Sequence, residues 1–254
     1  SPASTAVAYT HQGFATTFRV MANDSQQGRA LGQYATRLGK RVAVVDDRTA
    51  YGQGLIDEVV KGVAAAGGEV VGREYTTDKA TDFTAILTSL KAKKPDVVVF
   101  GGMDPQAAPM VRQMRTLGMK TPFMGGDGMQ SAEFLNLAGP AAEGAIGSSP
   151  GLPIDKMPGG AEFTKQFNDR FGKVQIYAPF AHDAALVLVQ AMLRAGSAEP
   201  KDYLPELVKT QVDGVIGPIA FDDKGDLKDG PVTLYQVKDG AWQPLETVGG
   251  PAAK

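Results

Sequence analysis

Apolar residues recur at two alternating spacings between residues 41 and 148, and this alternation predicts strands followed by helices. The run 41–46 is rich in valine and ends in aspartate, and the segment 52–66 then carries apolar residues at helical spacing. Three further rounds and a last strand follow, with strands predicted at 69–76, 96–100, 122–125 and 144–148 and helices at 82–93, 106–117 and 131–137. Such alternation favours βαβ units and a parallel sheet with helices on both faces.

The pattern changes after residue 149, where the stretch 150–160 contains three prolines and three glycines. Neither a helix nor a central strand tolerates this composition, so we interpret it as a crossing between two lobes. Beyond it, we expect helices at 161–171, 178–195 and 201–209, the middle one rich in alanine, leucine and valine as a packed helix should be. A strand at 217–221, a turn at 222–225 and a hairpin of 232–237 with 242–248 are expected to follow. Before residue 21 there is only the short segment 13–20, so a lobe that holds the late helices has almost no sheet of its own.

Composition narrows the classes of function. The chain of 254 residues has a formal charge of −2, without the basic excess that phosphate binding requires, which argues against nucleic acid as a partner. No apolar run approaches the ~20 residues that cross a bilayer, so we expect no insertion into a membrane. The absence of cysteine excludes a disulfide framework, thiol catalysis and a cysteine-ligated zinc.

Hydrolase chemistry has one local motif in its favour. The pattern G-x-S-x-G occurs around Ser149, and in hydrolases this serine needs a sharp turn from strand to helix. Here prolines at positions 150 and 153 stand where that helix would begin. His182 lies inside a predicted helix beside Asp183, and His11 is isolated, so neither residue completes a triad or a metal site. We expect no enzymatic activity; an α/β enzyme that depends on Ser149 or His182 is an alternative to test.

Two further motifs could bind a cofactor or a metal. The sequence Gly52-x-Gly54 follows a predicted strand, but Asp57 stands where a dinucleotide fingerprint has its third glycine. The segment 222–226 holds three aspartates, yet Lys224 between them favours a plain turn over a calcium loop. We therefore expect no cofactor and no bound metal.

Short motifs distributed along nearly the whole chain carry a more specific signal. They are Pro2-Ala3-Ser4-Thr5, Phe18-Arg19 with Asp24-Ser25-Gln26-Gln27-Gly28, Tyr51-Gly52-Gln53-Gly54, Asp82-Phe83-Thr84, Phe100-Gly101-Gly102, Gly139-Pro140-Ala141-Ala142-Glu143-Gly144 and Gly217-Pro218-Ile219-Ala220-Phe221-Asp222. In order and spacing they resemble the periplasmic leucine/isoleucine/valine-binding proteins, which are substrate-binding proteins of ABC transporters for branched-chain amino acids.

The resemblance implies a two-lobe periplasmic-binding-protein fold of type I, an α/β fold with parallel sheets flanked by helices. Three crossings would fall near 20–23, 149–152 and 222–227. Partial lobe one would comprise 1–21 and 150–225, and lobe two would comprise 22–149 and 226–254. Members of the family begin with roughly a hundred further residues that form the first half of lobe one. We therefore expect an incomplete lobe one, and weak or absent ligand binding by these 254 residues alone.

The resemblance also implies which residues hold the charged groups of an amino acid. The carbonyl of Ala3 and the hydroxyl of Thr5 would accept hydrogen bonds from the ammonium, and the amide of Thr5 would donate to the carboxylate. Asp127, in a glycine-rich turn after a predicted strand, would match the acid that binds the ammonium. Without the resemblance, 2–5 is an ordinary turn or helix start and Asp127 is a solvated turn residue.

Three residues correspond to the family's pocket for the ligand side chain, namely Tyr51, Met103 and Tyr177. Many relatives carry an aromatic residue at the position of Met103. Methionine is unbranched and adaptable, so it would suit a longer or more flexible apolar side chain. By themselves, an aromatic residue and a methionine near strand ends are more often part of a core.

We expect the solute-binding component of an ABC importer, exported to the periplasm with its signal peptide outside this chain, and monomeric. It would capture a branched-chain or related amino acid in the cleft between its lobes by hinge closure, and deliver it to a membrane permease. The alternative is a ligand-sensing domain of a receptor or regulator that binds another small amphipathic carboxylate, because the same fold serves both functions.

Overall fold

The structure is a computed structural model that describes residues 1–250 and divides into two compact units. Unit 1 consists of Ser1–Asn23, Pro150–Pro231 and 249–250, and unit 2 consists of Asp24–Ser149 and Val232–Val248. The segment 226–231 thus belongs to unit 1, whereas the sequence-based division placed it in lobe two. The lobe boundaries stay a prediction. The last four residues of the predicted lobe two, 251–254, lie outside the described residues.

Unit 2 is built on one sheet of seven strands, β1 (Arg41–Asp46), β2 (Glu69–Tyr75), β3 (Val97–Gly101), β4 (Phe123–Gly125), β5 (Ile146–Pro150), β8 (Val232–Lys238) and β9 (Ala241–Val248). Their order across the sheet is β2-β1-β3-β4-β5-β8-β9. Neighbouring strands from β2 through to β5 pair in parallel, and β8 and β9 form an antiparallel hairpin. The predicted parallel sheet and closing hairpin are confirmed.

Helices cover both faces of this sheet. They are α1 (Asp24–Leu38), α2 (Ala50–Ala65), α3 (Thr84–Ala92), α4 (Asp104–Thr116) and α5 (Ala132–Ala138). Helices α1 and α2 pack against each other and against β1 and β3, while α3, α4 and α5 pack against the other face. Strand β1 is buried from its second residue onward, because its alternate valines and alanine face the two helical layers. The helices predicted from apolar spacing are confirmed.

The strand order contains a switch point between β1 and β3. After β1 the chain passes through α2 to β2 on one side, and after α3 it returns to β3 on the other side of β1. The loops that leave the carboxyl ends of β1 and β3 therefore diverge, and open parallel sheets bind ligands in the crevice that such loops form. Tyr51 follows β1 and Met103 follows β3.

Unit 1 contains the late helices and little sheet. Its elements are α6 (Gly160–Phe171), α7 (Ala178–Ala195), α8 (Pro200–Val208), β6 (Gln211–Gly214) and β7 (Gly217–Ala220). Strands β6 and β7 form a two-stranded antiparallel sheet, and α7 and α8 pack side by side. The buried core shared by these elements includes Met21, Phe180, Val187, Leu207 and Ile219.

Three features differ from the sequence prediction. The sequence did not predict helix α1, because Gly28 and Gly32 have low helix propensity. A β-carbon on Gly28 would lie only 2.4 Å from Glu58 Cβ of α2, so both glycines allow the close approach of the two helices. Strand β6 was missed because four residues carry too little periodicity. Pro150, which we assigned to the irregular crossing, is the last residue of β5, a position that needs no further amide donor.

Candidate functional site

Asp127 begins a short 3-10 helix, Asp127–Met129, directly after β4. The residue is only 4% exposed, and its Oδ1 accepts hydrogen bonds from Gln27 Nε2 and from Tyr51 Oη, both at 2.9 Å. It is therefore not the solvated turn aspartate that the local sequence suggests. Both of these donors are uncharged, so they satisfy hydrogen bonds of the carboxylate without cancelling its charge. A carboxylate held in this way can also accept hydrogen bonds from a cationic group.

Tyr51 lies in the first turn of α2, whose amino terminus is fixed by Thr49. The Thr49 Oγ1 accepts from Gly52 N at 2.9 Å and donates to Asp47 Oδ1 at 2.6 Å. The Tyr51 hydroxyl donates to Asp127 and accepts from Gly128 N at 3.0 Å. One hydroxyl thus holds both the carboxylate and the backbone of its turn, because a phenol can donate and accept at once.

Met103 occupies the N-cap position of α4 and is 48% exposed, whereas most large apolar side chains of this unit are buried. It meets the other two residues at Gly128. A β-carbon built on Gly128 would lie 2.7 Å from Met103 Sδ and 3.0 Å from Cε1 of the Tyr51 ring. The glycine is therefore required by space, and the three candidate residues of unit 2 form one cluster.

Three buried polar residues that we did not select from the sequence complete this cluster. Ser148 Oγ, in β5, donates to Gln27 Oε1 at 2.7 Å, and Gln27 Nε2 also lies 3.2 Å from Asp24 Oδ1. Gln27 and Asp24 belong to α1, the helix that we failed to predict. Asp24 and Gln27 lie on the helix face that also carries Leu31, but both are polar, so this buried face gives little apolar periodicity in the sequence.

The other three candidate residues belong to unit 1. Ala3 and Thr5 lie in an irregular segment before the 3-10 helix Val7–Tyr9, with Ala3 exposed and Thr5 buried. Tyr177 precedes α7 and packs against the core of unit 1. The structure describes each of these residues within its own unit, and their joint role with Tyr51, Met103 and Asp127 stays a prediction.

Ser149 and His182, the residues considered for hydrolase chemistry, lie in structural elements of the fold. Ser149 is buried in β5, and the chain continues into a 3-10 helix, Ile154–Lys156, rather than the long helix of a hydrolase elbow. His182 Nδ1 lies 2.9 Å from Asp183 Oδ1, and the Asp183 carboxylate accepts from the amides of Val215 and Ile216. These contacts connect α7 to the turn between β6 and β7.

The aspartate-rich segment is a turn. Asp222 Oδ1 accepts from the amides of Lys224 and Asp226, both at 2.9 Å. Within residues 1–250, no cluster of three or more His, Cys, Asp or Glu side chains has the geometry of a metal site. In the same residues no helix is both long and apolar enough to cross a membrane.

Two groups with shifted pKa values lie at the opposite end of α4 from Met103. Burial lowers the pKa of Arg115, whose guanidinium donates to the carbonyls of Met119 and Thr121. The backbone hydrogen bond from Thr84 lowers the pKa of Asp82, at the start of α3. Both shifts follow from local packing and hydrogen bonding, and neither marks a second candidate site.

Comparison with known proteins places these features in a family. The sequence pattern described as periplasmic binding protein matches residues 2–241. A Leu/Ile/Val-binding protein homolog of Brucella melitensis is 36% identical over 95% of this chain, and a leucine-specific-binding protein of Salmonella typhimurium is 32% identical over 93%. The chain spans 66% and 64% of these two proteins, less than two thirds of their length.

Solved structures agree with this result. A leucine-binding protein from Thermotoga maritima is 30% identical, with a TM-score of 0.91, over 98% of this chain and 72% of its own. A branched-chain amino acid transporter substrate-binding protein from Streptococcus pneumoniae, solved with isoleucine, is 25% identical, with a TM-score of 0.86 and the same coverage. The α/β fold predicted from the sequence is that of these proteins, and the chain belongs to the periplasmic binding protein family.

Proposed function

We propose that this chain is the solute-binding component of an ABC importer and captures a branched-chain or related amino acid. The observation that carries the proposal is the buried Asp127 carboxylate, held by Tyr51 and Gln27 where the parallel strands of unit 2 end. A carboxylate in such a position suits the ammonium of an amino acid. The names of similar proteins, which refer to leucine, isoleucine and valine, support the same class of ligand.

Each part of the amino acid has a candidate partner. Asp127 would accept from the ammonium, together with the carbonyl of Ala3 and the hydroxyl of Thr5, and the amide of Thr5 would donate to the carboxylate. Tyr51, Met103 and Tyr177 would surround the apolar side chain. A zwitterion with an apolar side chain requires acceptors for its ammonium, a donor for its carboxylate and an apolar surface for its side chain. Closure of two lobes around the ligand, by a hinge, is part of the proposal.

The proposal includes a location, a partner and the absence of catalysis. Members of this family take their name from the periplasm, and we propose that this protein is exported there, acts as a monomer and delivers its ligand to a membrane permease. The ligand should be released unchanged. Mass spectrometry of leucine after overnight incubation with the protein tests this point, and conversion that requires Ser149 or His182 would favour the enzyme alternative.

A thermal-shift screen of the twenty amino acids and a panel of small carboxylates against the full-length protein tests the ligand class. A ligand at a hundred times its Kd stabilises the folded state by about 2.7 kcal/mol, because only the folded state binds it. We expect leucine, isoleucine or valine to raise the melting temperature. Stabilisation by carboxylates without an ammonium group, and by no amino acid, would instead support the sensing-domain alternative.

Replacing Tyr51 with phenylalanine should weaken amino acid binding by about three- to tenfold. The change removes the hydroxyl that donates to Asp127 and accepts from Gly128 N, and a hydrogen bond to a charged group contributes about 1.5–3 kcal/mol, part of which water can replace. Isothermal titration with leucine measures the effect. Tyr75→Phe is the matched control, because Tyr75 is an exposed tyrosine of the same unit; equal affinities for both variants would contradict the role of Tyr51.

Replacing Met103 with alanine should reduce affinity for leucine several-fold and leave affinity for alanine unchanged. The lost contact involves the ligand's side chain only, and each buried methylene contributes about 0.8 kcal/mol. The ratio of the two dissociation constants, measured by titration, is the informative quantity. Leu137→Ala, another exposed apolar residue of unit 2, should not change this ratio. A parallel loss for both ligands would show that Met103 does not contact the ligand side chain.

A further inference from the structure

Arg19 is the largest fully buried side chain of the described residues, with 0% exposure. Its Nη1 donates to the carbonyls of Ser4 and Ala6, both at 2.9 Å, and its Nη2 donates to Thr10 Oγ1 at 2.7 Å. Its Nε donates to Asp226 Oδ1 at 2.5 Å. A buried guanidinium needs this many acceptors, because each unpaired donor would cost free energy of desolvation.

Asp226 is fixed in turn by several groups. It accepts from Thr10 Oγ1 at 2.8 Å and from Asn23 Nδ2 at 3.1 Å, and its own amide donates to Asp222 Oδ1. The backbone beside it also bonds to Arg19, whose amide donates to Gly225 O at 2.9 Å. The ion pair of Arg19 with Asp226 is therefore a rigid anchor for the segment 1–10.

The acceptors of Arg19 lie on either side of Thr5. The Ser4 carbonyl and the Thr5 amide belong to the same peptide group, and in a planar trans peptide they point in opposite directions. A hydrogen bond that fixes the Ser4 carbonyl thus also fixes the direction of the Thr5 N–H. The segment around Thr5 is neither helix nor strand, so regular backbone hydrogen bonds do not set this direction.

We propose that Arg19, held by Asp226, is a positioning residue for carboxylate recognition: it orients the Thr5 amide toward the carboxylate of the ligand. The inference rests on the proposed function, in which the Thr5 amide is the carboxylate's donor. The hydrogen bond from a cation to the Ser4 carbonyl also polarises the peptide group, which strengthens its N–H as a donor.

The test compares leucine with leucinamide, which lacks the carboxylate charge, by titration against the full-length protein. Arg19→Met should weaken leucine binding by at least about tenfold, in line with the loss of a charge-assisted contact, and change leucinamide binding by less than about threefold. A residue that only stabilises the fold would affect both ligands equally. An unchanged leucine-to-leucinamide ratio in a folded variant overturns the inference.

A second variant covers the case in which Arg19→Met fails to fold, since an unpaired buried Asp226 is destabilising. The double variant Arg19→Met with Asp226→Leu replaces the pair by apolar groups and should fold, yet show the same reduced ratio. Arg194→Met is the matched control, because Arg194 donates to the carbonyl of Glu206 in the same unit; its ratio should equal that of the wild type.

Leucine binding by the wild type distinguishes failure of the positioning role from failure of the proposed function. If the wild type binds leucine and the variants keep its ratio, the positioning role fails and the proposed function stands. If the wild type binds no amino acid, the proposed function fails and the inference fails with it. Amide exchange of the segment 1–10, which should accelerate in Arg19→Met, gives a ligand-independent check of the anchor.

Discussion

Replacing Asp127 with alanine should weaken amino acid binding by at least about tenfold, because a charged hydrogen bond is worth about 1.5–3 kcal/mol. The substitution removes the proposed acceptor for the ligand ammonium. It also removes an acceptor of Gln27 Nε2 and Tyr51 Oη, so two donors at the proposed binding site lose this partner. Calorimetric titration with leucine in the full-length protein measures the loss.

Two comparisons separate charge from structure in this experiment. Asp127→Asn keeps the shape and one acceptor oxygen, so it should retain the fold and still lose most of the affinity. The wild type should prefer leucine to 4-methylpentanoate, which lacks the ammonium, and Asp127→Asn should lose that preference. Unchanged affinity in both variants would falsify the role of Asp127.

Asp57→Ala supplies the matched control. Asp57 is a half-exposed aspartate of the same unit, and its carboxylate pairs with Arg73 Nη2 at 2.7 Å on the surface. Surface ion pairs contribute about 0–1 kcal/mol to stability, so the loss of this pair should not change the affinity for the ligand. A loss of leucine affinity in Asp57→Ala as large as that in Asp127→Ala would point to a general electrostatic effect.

Replacing Phe100 with alanine should destabilise unit 2 by about 3–5 kcal/mol, the usual cost of a large cavity in a packed core. Phe100 lies fully buried in the central strand β3, and its ring stacks on Phe123 with centroids 6.3 Å apart. Helices α4 and α5 pack over this region, so neighbouring side chains should fill only a small part of the cavity. The melting temperature should fall by on the order of 10 °C.

The chain's one tryptophan makes this measurement specific to unit 2. Trp242 of β9 packs on Phe134 and donates from Nε1 to Ser131 O at 2.9 Å, so its fluorescence reports the unfolding of this unit. Tyr75→Ala is the control: Tyr75 is 60% exposed, with Arg48 over its ring, and its loss should cost less than about 1 kcal/mol. Similar melting temperatures for both variants would mean that Phe100 is not part of a tightly packed core.

Much of the fold could be predicted because its signals are local. Strands β1 and β3 are short runs rich in valine, and α2 and α3 show apolar residues at helical spacing, so the positions of these elements followed from periodicity alone. Helix α1 could not be predicted in this way, because its glycines at 28 and 32 serve the contact with α2. A residue chosen for a tertiary contact weakens the local signal of its own element.

The candidate site, too, could be predicted from the sequence only in part. Resemblance to a family selected Tyr51, Met103 and Asp127, and the sequence placed each of them after a strand. It offered no means to see that Asp127 is buried, since a glycine-rich turn is usually solvated. Gln27, which holds Asp127, is 100 residues away from it in the chain, and Ser148 is 121 residues away from Gln27.

By itself, then, the sequence determined the α/β class, most of the elements of both units and the membership of a family, because periodicity and motifs are properties of neighbouring residues. Only the tertiary structure decided which polar residues are buried together. The strand order places the ends of β1, β3, β4 and β5 side by side, and this brings Tyr51, Asp127 and Ser148 into contact with Gln27 or with one another. Contacts of this kind depend on how distant segments pack, and no spacing along the chain encodes them.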